Sequence, residues 1–239
     1  MKCKTVLIIF LILICIIVFC ISSYIILKDF QEMSENNNYT ENLIEGTIQV
    51  DDNTNEKSID WNYLSTINTD IIAWIEIPDT KINYPILKDD NLFYLKHSFN
   101  KVYNSNGSIF TTNKNPFEDE ETIVYGHNMK NGSMFSSLDK YMNKDFFYTH
   151  KNLKIYTPSC NYEGIIFSAY STGIEAENNK VKSLNLNDRI SYYKEMSKFT
   201  SETDENITKI VKLSTCSYIN AKSSPTDQRY YIIAYLVEI

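Results

Sequence analysis

The hydrophobic positions of the chain follow two different patterns. Residues 6–27 (VLIIFLILICIIVFCISSYIIL) carry no charge, whereas from about residue 58 onward short apolar runs alternate with polar turn residues. An apolar run of roughly 20 residues is long enough to cross a bilayer as a helix. Short runs bounded by turn residues are typical of β-strands. The pattern therefore predicts one membrane-spanning segment followed by a β-rich domain.

Eight segments of this domain have the length and composition of β-strands. The first two, IIAWIEI and INYPI, flank the turn PDTK and predict a hairpin in which Pro85 lies at a sheet edge or strand end. Many short strands with few helices favour a barrel or sandwich of mostly antiparallel sheet. The eight segments are 71–77, 82–86, 107–110, 121–126, 152–157, 162–170, 207–215 and 229–239.

Apolar residues recur at helical spacing in three places. Residues 58–68 (SIDWNYLSTIN) predict an N-terminal helix of the domain, capped by Ser58 or Asp60. The segment SMFSSLDKYM also has one apolar helical face. The third helix, in NDRISYYKEMSKF, is predicted to be capped by Asn187 and lies within the long connection 171–206 between the sixth and seventh strands. Connections longer than about 12–15 residues are usually functional, so this one is a candidate substrate wall.

The apolar segment is interpreted as a retained anchor. A signal peptide has an apolar core of about 7–15 residues and a small-residue cleavage site, and a buried core helix rarely stays uncharged for so long. Lys2 and Lys4 precede the segment and acidic residues follow it, so the N-terminus is predicted to be cytoplasmic. The predicted organisation is 1–5 cytoplasmic, 6–27 transmembrane, 28–57 an acidic extracellular linker and 58–239 an extracellular domain.

Charge is concentrated between the anchor and the domain. Residues 29–60 contain nine acidic residues and a single basic one, Lys57, and include the polar stretches NNNYTEN and DDNTNEK. This composition is typical of a solvated spacer. Residues 61–239 are close to neutral, so the domain has no basic footprint for nucleic acid.

Cysteine and histidine are too few for a disulfide framework or a recognisable metal site. Outside the anchor region only Cys160 and Cys216 occur, and one bridge between them stays open as an alternative. There is no H-E-x-x-H and no Cys/His pair at metal-binding spacing, so neither a metal nor another cofactor is predicted.

Cys216 is the first candidate for chemistry, because it ends an apolar strand next to two hydroxyl residues in VKLSTCSYI. Taken alone, such a cysteine is more often a small buried hydrophobe than a nucleophile. A reactive thiolate needs a cation or base nearby. His127 directly follows a strand in VYGHNM, and Arg229 opens the last strand. If the last two strands pair antiparallel, Cys216 and Arg229 meet at one rim of the sheet.

The remaining histidines and the other arginine have weaker contexts. His97 in YLKHSF and His150 in YTHKNL are interpreted as surface or half-buried residues. Arg189 is expected on the solvated face of the helix in the long connection. Arg229, by contrast, offers a fixed fork of donors that suits an oxyanion or a peptide carbonyl.

Several motifs together resemble class B sortases, the membrane-anchored cysteine transpeptidases of Gram-positive cell walls. KLSTC (212–216) is similar to the family signature T-L-x-T-C, with Lys212 at the first position. IVYGHNM is similar to the segment that carries the family's histidine, and DQRYYIIAYL to the strand that carries its arginine. Further similarity lies in INTDIIAWIEIPDTKINYPIL, DNLFYLKHSFN, NGSIF and NGSMFSSLDKY, so the resemblance covers about 61–239.

The resemblance implies an eight-stranded sortase β-barrel as the catalytic domain, with a helix in the long sixth-to-seventh connection. It implies that Cys216 forms a thioacyl-enzyme after the threonine of a C-terminal sorting signal, that His127 is the general acid and base, and that Arg229 stabilises the oxyanion or substrate. Some class B members have an acid two positions after the cysteine, where this chain has Tyr218. The groove residues implied are Ser214, Thr215, Asn128 and Tyr193.

The implied partners are surface proteins with a C-terminal sorting signal, an amine of a peptidoglycan precursor, and the cell membrane through the N-terminal helix. Two alternatives stay open from the sequence. One is a surface cysteine protease that passes the acyl group to water. The other is an anchored domain that only binds, although the cysteine, the histidine and the arginine are all present.

Overall fold

The computed structural model describes residues 2–50, 57–199, 201–204, 206–219 and 226–239. The chain divides into two compact units, Met1–Leu43 and Ile44–Ile239. The first unit is helical, and the second contains the sheets and the remaining helices.

Helix α1 extends over Lys2–Thr47. Within it, Thr5–Lys28 has a mean hydropathy of 3.4 and, among the described residues, is the one helix whose length and composition suit a membrane span. The predicted anchor at 6–27 falls inside this stretch. The predicted linker at 28–57 is helical as far as Thr47, because no proline and, before Gly46, no glycine interrupts the helix. Residues 51–56 of that linker lie outside the described residues.

Eight strands close into a barrel, which confirms the predicted number and fold class. The barrel order is β10, β8, β7, β3, β4, β5, β6, β9, and β9 pairs with β10 to complete the circle. A separate two-stranded sheet pairs β1 with β2. The strands are β1 Ile48–Val50, β2 Lys57–Ile59, β3 Ile71–Glu76, β4 Asn83–Lys88, β5 Ile109–Thr111, β6 Glu121–Tyr125, β7 Asn152–Tyr156, β8 Asn161–Gly173, β9 Ile210–Cys216 and β10 Gln228–Glu238.

Most barrel neighbours are antiparallel, as the sequence predicts; the β4–β5 and β6–β9 pairs are parallel. The β3–β4 hairpin is confirmed, with Trp74 opposite Pro85. The parallel ladder with β5 starts only at Ile86, so Pro85 precedes the point where β4 gains its second partner. The Trp74 indole nitrogen donates to Asn83 Oδ1 at 2.6 Å, which satisfies the polar atom of a fully buried ring.

Alternation along β9 separates an inner from an outer face. Val211 and Leu213 belong to the central core of the barrel. Ile210 belongs to a second apolar cluster, which lies between the outside of the sheet and the helices of the long connection. Since side chains alternate along a strand, Lys212 and Cys216 lie on this outer face as well.

Two of the three predicted helices lie outside the long connection. Helix α2, Trp61–Ile67, begins after Asp60, whose carboxylate accepts from the Tyr63 backbone N–H, so this predicted cap is confirmed. The apolar face of SMFSSLDKYM forms a 3₁₀ helix, η2 Ser136–Met142, rather than an α-helix. Two further short helices, η1 Phe93–Leu95 and α3 Lys144–Thr149, were not predicted.

The long connection contains α4 Ile174–Val181 and α5 Leu186–Met196. Helix α5 was predicted, but its cap is Asn185, whose Oδ1 accepts from the Asp188 N–H at 3.0 Å, and not Asn187. The helix begins earlier because Leu186 packs against the barrel together with Ile190. Helix α4 was not predicted, since its only buried residue is the acidic Glu177.

Candidate active site

The last two barrel strands place Cys216 beside Arg229. They pair antiparallel, with Arg229 directly opposite Cys216 and Tyr231 opposite Ser214, which confirms the pairing inferred from the sequence. The thiol and the guanidinium therefore lie in the same row of the sheet. Both residues are half-buried.

His127 reaches the same rim from the other side of β9. Strand β6 runs parallel to β9, with Tyr125 opposite Ser214, and the N–H of Gly126 donates to the Ser214 carbonyl at 3.2 Å. A Cβ at Gly126 would lie 2.4 Å from Ile109 Cδ1, so glycine is required for this close approach. We call the end of the barrel that holds the candidate catalytic residues Cys216, Arg229 and His127 the catalytic rim.

A backbone carbonyl orients the imidazole of His127. Its Nε2 lies 2.8 Å from the carbonyl oxygen of Leu95, the last residue of η1, and a protonated Nε2 donates to that oxygen. The carbonyl of His127 in turn accepts from the Phe135 N–H at 2.9 Å. Among the hydrogen bonds of the described residues, the ring uses only Nε2, which leaves Nδ1 for proton transfer. A carbonyl partner has no side-chain signature, so the sequence could not reveal Leu95.

Asn128, the residue after His127, contacts the strand that carries Cys216. Asn128 Nδ2 donates to the carbonyl oxygen of Cys216 at 2.8 Å, although the two residues are 88 positions apart. Asn128 was predicted to bind substrate. In the structure, its amide ties the loop after β6 to the end of β9.

The guanidinium of Arg229 is held by its own loop. Nη1 donates to the carbonyls of Thr226 and Gln228, both at 2.9 Å. The Thr226 hydroxyl donates to the Ser217 carbonyl at 3.0 Å, so the chain before β10 is fixed to the chain after β9. Both contacts of Arg229 use Nη1, so, within the part of the chain that the structure describes, Nε and Nη2 are the donors left for a ligand.

Three predicted groove residues are buried. Ser214 is 4% exposed and Thr215 is 2% exposed. Tyr193 is fully buried and donates to Glu121 Oε1 at 2.7 Å. Glu121 begins β6, whereas His127 follows the end of that strand, so the structure does not bring Tyr193 to the catalytic rim.

The contacts of Arg189, His97 and His150 show where these three side chains lie. Arg189 is not solvated as expected, because its Nη1 pairs with the buried carboxylate of Glu121 at 2.9 Å. His97 and His150 are half-buried, as predicted, and each stacks on the phenylalanine four residues before it, with ring centres 3.7 and 3.8 Å apart.

Cys160 and Cys216 are both free thiols. Cys160 directly precedes β8, whereas Gly173 at the other end of β8 pairs with Gln228, next to Arg229 and the catalytic rim. A strand of this length spans roughly 35–40 Å. A disulfide needs Cα atoms within about 7 Å, so the bridge left open by the sequence is excluded.

A cavity of about 770 Å³ opens beside the catalytic rim. One side is formed by α4 and the end of β8, and the other by the start of β10. Its lining includes Thr172, Glu175, Asn178, Asn179, Asp227 and Gln228. Thr172 is the β8 partner of Arg229, so the cavity adjoins the row that holds Cys216.

Comparison with protein families supports one assignment. The model of the Sortase domain matches residues 75–237, which is more than half of the chain. The sortase B of Listeria monocytogenes serovar 1/2a is 39% identical over 160 residues. This match covers 64% of the chain and 65% of the relative, slightly less than two thirds of the relative's length.

Solved structures show the same fold. A Staphylococcus aureus sortase B–substrate complex superposes with a TM-score of 0.66 at 29% identity, covering 75% of this chain and 85% of that one. A sortase B complexed with triglycine superposes with a TM-score of 0.63 at 29% identity, covering 75% of this chain and 86% of that one.

Proposed function

Because the chain belongs to the sortase family, as a class B sortase, we propose that it is a membrane-anchored transpeptidase with Cys216 as its nucleophile. The observation that carries the proposal is the row formed by Cys216 and Arg229 on paired strands, with His127 following the parallel strand beside them. The proposal is supported by a thiol, an imidazole and a fixed guanidinium at one rim.

The reaction begins when the Cys216 thiolate attacks the carbonyl carbon of the threonine residue in a sorting signal. The C–N bond breaks, a thioester forms, and the His127 imidazolium protonates the departing amine. Arg229 offers Nε and Nη2 to the oxyanion or to the signal's backbone. In the second half, His127 accepts the proton of an incoming amine, which displaces the thiolate and forms a new amide bond.

The partners follow from the same chemistry. The donor is a surface protein with a C-terminal, threonine-containing sorting signal, and the acceptor is an amine of a peptidoglycan precursor. Support comes from relatives of this fold that were solved with a substrate and with triglycine. The cavity beside α4 offers a place for an extended peptide, because its lining residue Thr172 lies in the row of Arg229 and Cys216.

The helix Thr5–Lys28 supports a membrane anchor. We place residues 1–5 in the cytoplasm, 6–27 in the membrane and 58–239 outside, with 28–57 between them, because Lys2 and Lys4 precede the apolar segment. On intact cells that produce the full chain, an added protease is expected to degrade the domain. Protection of 58–239 until the cells are lysed would reverse this orientation.

The activity is tested with the full chain in detergent. It is incubated with threonine-containing sorting peptides, with and without triglycine, and analysed by mass spectrometry. A thioacyl adduct on Cys216 and a triglycine-linked product are expected. An adduct that is only hydrolysed would support a cysteine protease, and no adduct with any such peptide would leave a binding domain. Cys160→Ala is the matched control, because Cys160 is the other half-buried cysteine and lies at the opposite end of β8.

A further inference from the structure

The outer face of the sheet continues from the catalytic rim to a region that α4 and α5 cover. Side chains alternate along a strand, so Lys212 and Ser214 lie on the same face of β9 as Cys216. The register aligns Ser214 with Tyr231 and Lys212 with Ile233 of β10. Lys212 is therefore four residues from the nucleophile on the same face. We call this helix-covered part of the sheet the covered face.

Lys212 is buried, with 2% of its surface exposed, and its ammonium has partners on several sides. It forms an ion pair with Glu177 of α4 and donates to the Tyr193 hydroxyl oxygen at 3.4 Å. Its Nζ also lies 4.8 Å from the ring centre of Tyr193 and 4.6 Å from that of Tyr231, which are cation–π distances. The ammonium is thus held between the barrel and the long connection.

Glu177 joins four elements through one carboxylate. It is fully buried on α4 and pairs with Lys212 of β9. Tyr170 of β8 donates to its Oε1 at 2.6 Å, and Tyr192 of α5 donates to its Oε2 at 3.0 Å. Burial raises the pKa of both tyrosines, so they remain protonated donors at neutral pH.

A second anchor holds α5 separately. Arg189 and Tyr193 both donate to Glu121 of β6, at 2.9 and 2.7 Å. Helix α4 has a smaller apolar contact, because Glu177 is its only buried residue and Val181 is partly buried against the same apolar cluster. The position of α4 against the sheet therefore depends on the Lys212–Glu177 pair to a greater degree than the position of α5 depends on any one contact.

A buried ion pair fixes geometry more than it adds stability. Apolar residues of similar volume would fill the same space without the cost of removing two charges from water. Removing one partner, however, leaves a buried charge without compensation. The pair therefore favours one position of α4 relative to β9 and penalises the others. Helix α4 is also one side of the cavity that reaches Thr172, in the row of Arg229 and Cys216.

We propose that the Lys212–Glu177 pair is a positioning device for the substrate wall, which holds α4 against the strand that carries Cys216. Helix α4 begins at Ile174, directly after Gly173, whose partner Gln228 adjoins Arg229, so a displaced α4 would alter the cavity without moving the thiol. The kinetic part of this proposal rests on the proposed transpeptidase function. Lys212 and Glu177 act through α4 and do not touch the substrate.

The test uses the full chain in detergent with three variants: Glu177→Gln, Lys212→Met and the charge-reversed double variant Lys212→Glu/Glu177→Lys. Amide hydrogen exchange of 174–181 is measured, together with KM and kcat for a sorting peptide with triglycine. In both single variants, the amide hydrogens of 174–181 should exchange faster than in the wild type. KM should rise about tenfold, and kcat should change less than about threefold. The charge-reversed variant should recover part of both effects, because it restores the ion pair but not the cation–π contacts of Lys212. Glu177→Gln keeps its hydrogen-bond acceptor and serves if Lys212→Met does not fold.

The matched control is Lys57→Met, which breaks the half-buried Lys57–Glu76 pair outside the long connection. It should leave the exchange of 174–181 and KM unchanged. Exchange of 174–181 at the wild-type rate in both single variants would overturn the proposal, as would a fall in kcat at constant KM. If the wild type processes no peptide, the transpeptidase function fails, and the exchange measurement alone decides whether the pair holds α4.

Discussion

The catalytic rim and the covered face share strands β9 and β10 but treat polar groups in opposite ways. At the rim, Cys216 and Arg229 are half-buried, and the side chain of Arg229 contacts only backbone carbonyls among the described residues. Four residues before Cys216 on β9, Lys212 is buried and pairs with Glu177 of α4, which is also buried and accepts from other side chains. The thiol and the guanidinium at the rim stay accessible to a ligand, whereas the polar groups of the covered face are used to hold the fold.

Substitutions in the two regions should have different consequences. A change at the rim removes chemistry and leaves the packing intact, because few side chains depend on the rim residues. A change on the covered face leaves a charge unpaired and moves a helix. Activity and stability measurements should therefore separate the two regions.

The largest effect is expected for Cys216→Ala. Without the thiol no thioacyl-enzyme forms, so turnover should fall by more than about 10³-fold while the melting temperature stays near that of the wild type. His127→Ala should do the same, since the leaving amine then has no proton donor. Peptide cleavage and thermal unfolding are measured on the same samples. Residual turnover within about tenfold of the wild type in Cys216→Ala would remove this residue from the reaction.

Arg229→Lys should have the next largest effect. Lysine keeps the charge but cannot hold the carbonyls of Thr226 and Gln228 and still present a planar fork to the substrate. We expect kcat/KM to fall about 10²-fold, the size of effect seen when one oxyanion donor is lost. Steady-state kinetics with the sorting peptide measure it. A wild-type rate would show that the geometry of the fork is irrelevant, and Lys209→Arg, a conservative change at the other end of the barrel, serves as the control.

The position of the rim residues was predictable, because each of them lies at the end of an apolar run or directly after one. The apolar runs that end at Cys216 and begin at Arg229 are separated by a short loop, and the antiparallel pairing follows from that loop. His127 was predicted because it follows a strand and a glycine. The contact that orients it, the Leu95 carbonyl, was missed because a backbone acceptor looks the same in every residue.

The covered face was not predictable, because its polar residues look solvated in the sequence. Lys212 and Glu177 are 35 positions apart, and Arg189 and Glu121 are 68 apart. Each charge is compatible with burial only because its distant partner is present. Helix α4 was missed for the same reason, since its single buried side chain is a carboxylate. The cap of α5 was misplaced by two residues because Leu186 was not counted in its apolar face.

Gly126→Ala should have a smaller effect, on stability and on activity together. The new Cβ would meet Ile109 at 2.4 Å and Phe135 at 2.8 Å, so side chains of the core must shift. Such overpacking costs about 1–3 kcal/mol of unfolding free energy, and it also displaces the adjoining His127. Denaturant unfolding and kcat are measured. Gly46→Ala is the control, because the nearest atoms to its Cβ belong to the Tyr63 side chain and lie at 3.3 Å or more. Equal losses in both variants would contradict the close approach at Gly126.

The smallest effect is expected for Tyr218→Asp, which introduces an acid two positions after the nucleophile. Tyr218 is 61% exposed, and the His127 ring is already oriented by the Leu95 carbonyl at 2.8 Å. An exposed carboxylate is well solvated and adds little to an existing hydrogen bond. The kcat of Tyr218→Asp should therefore stay within about threefold of that of Tyr218→Asn, its uncharged match. A larger gain for the acid would mean that the carbonyl of η1 does not suffice to hold the imidazole, and that the rim depends on a side-chain partner after all.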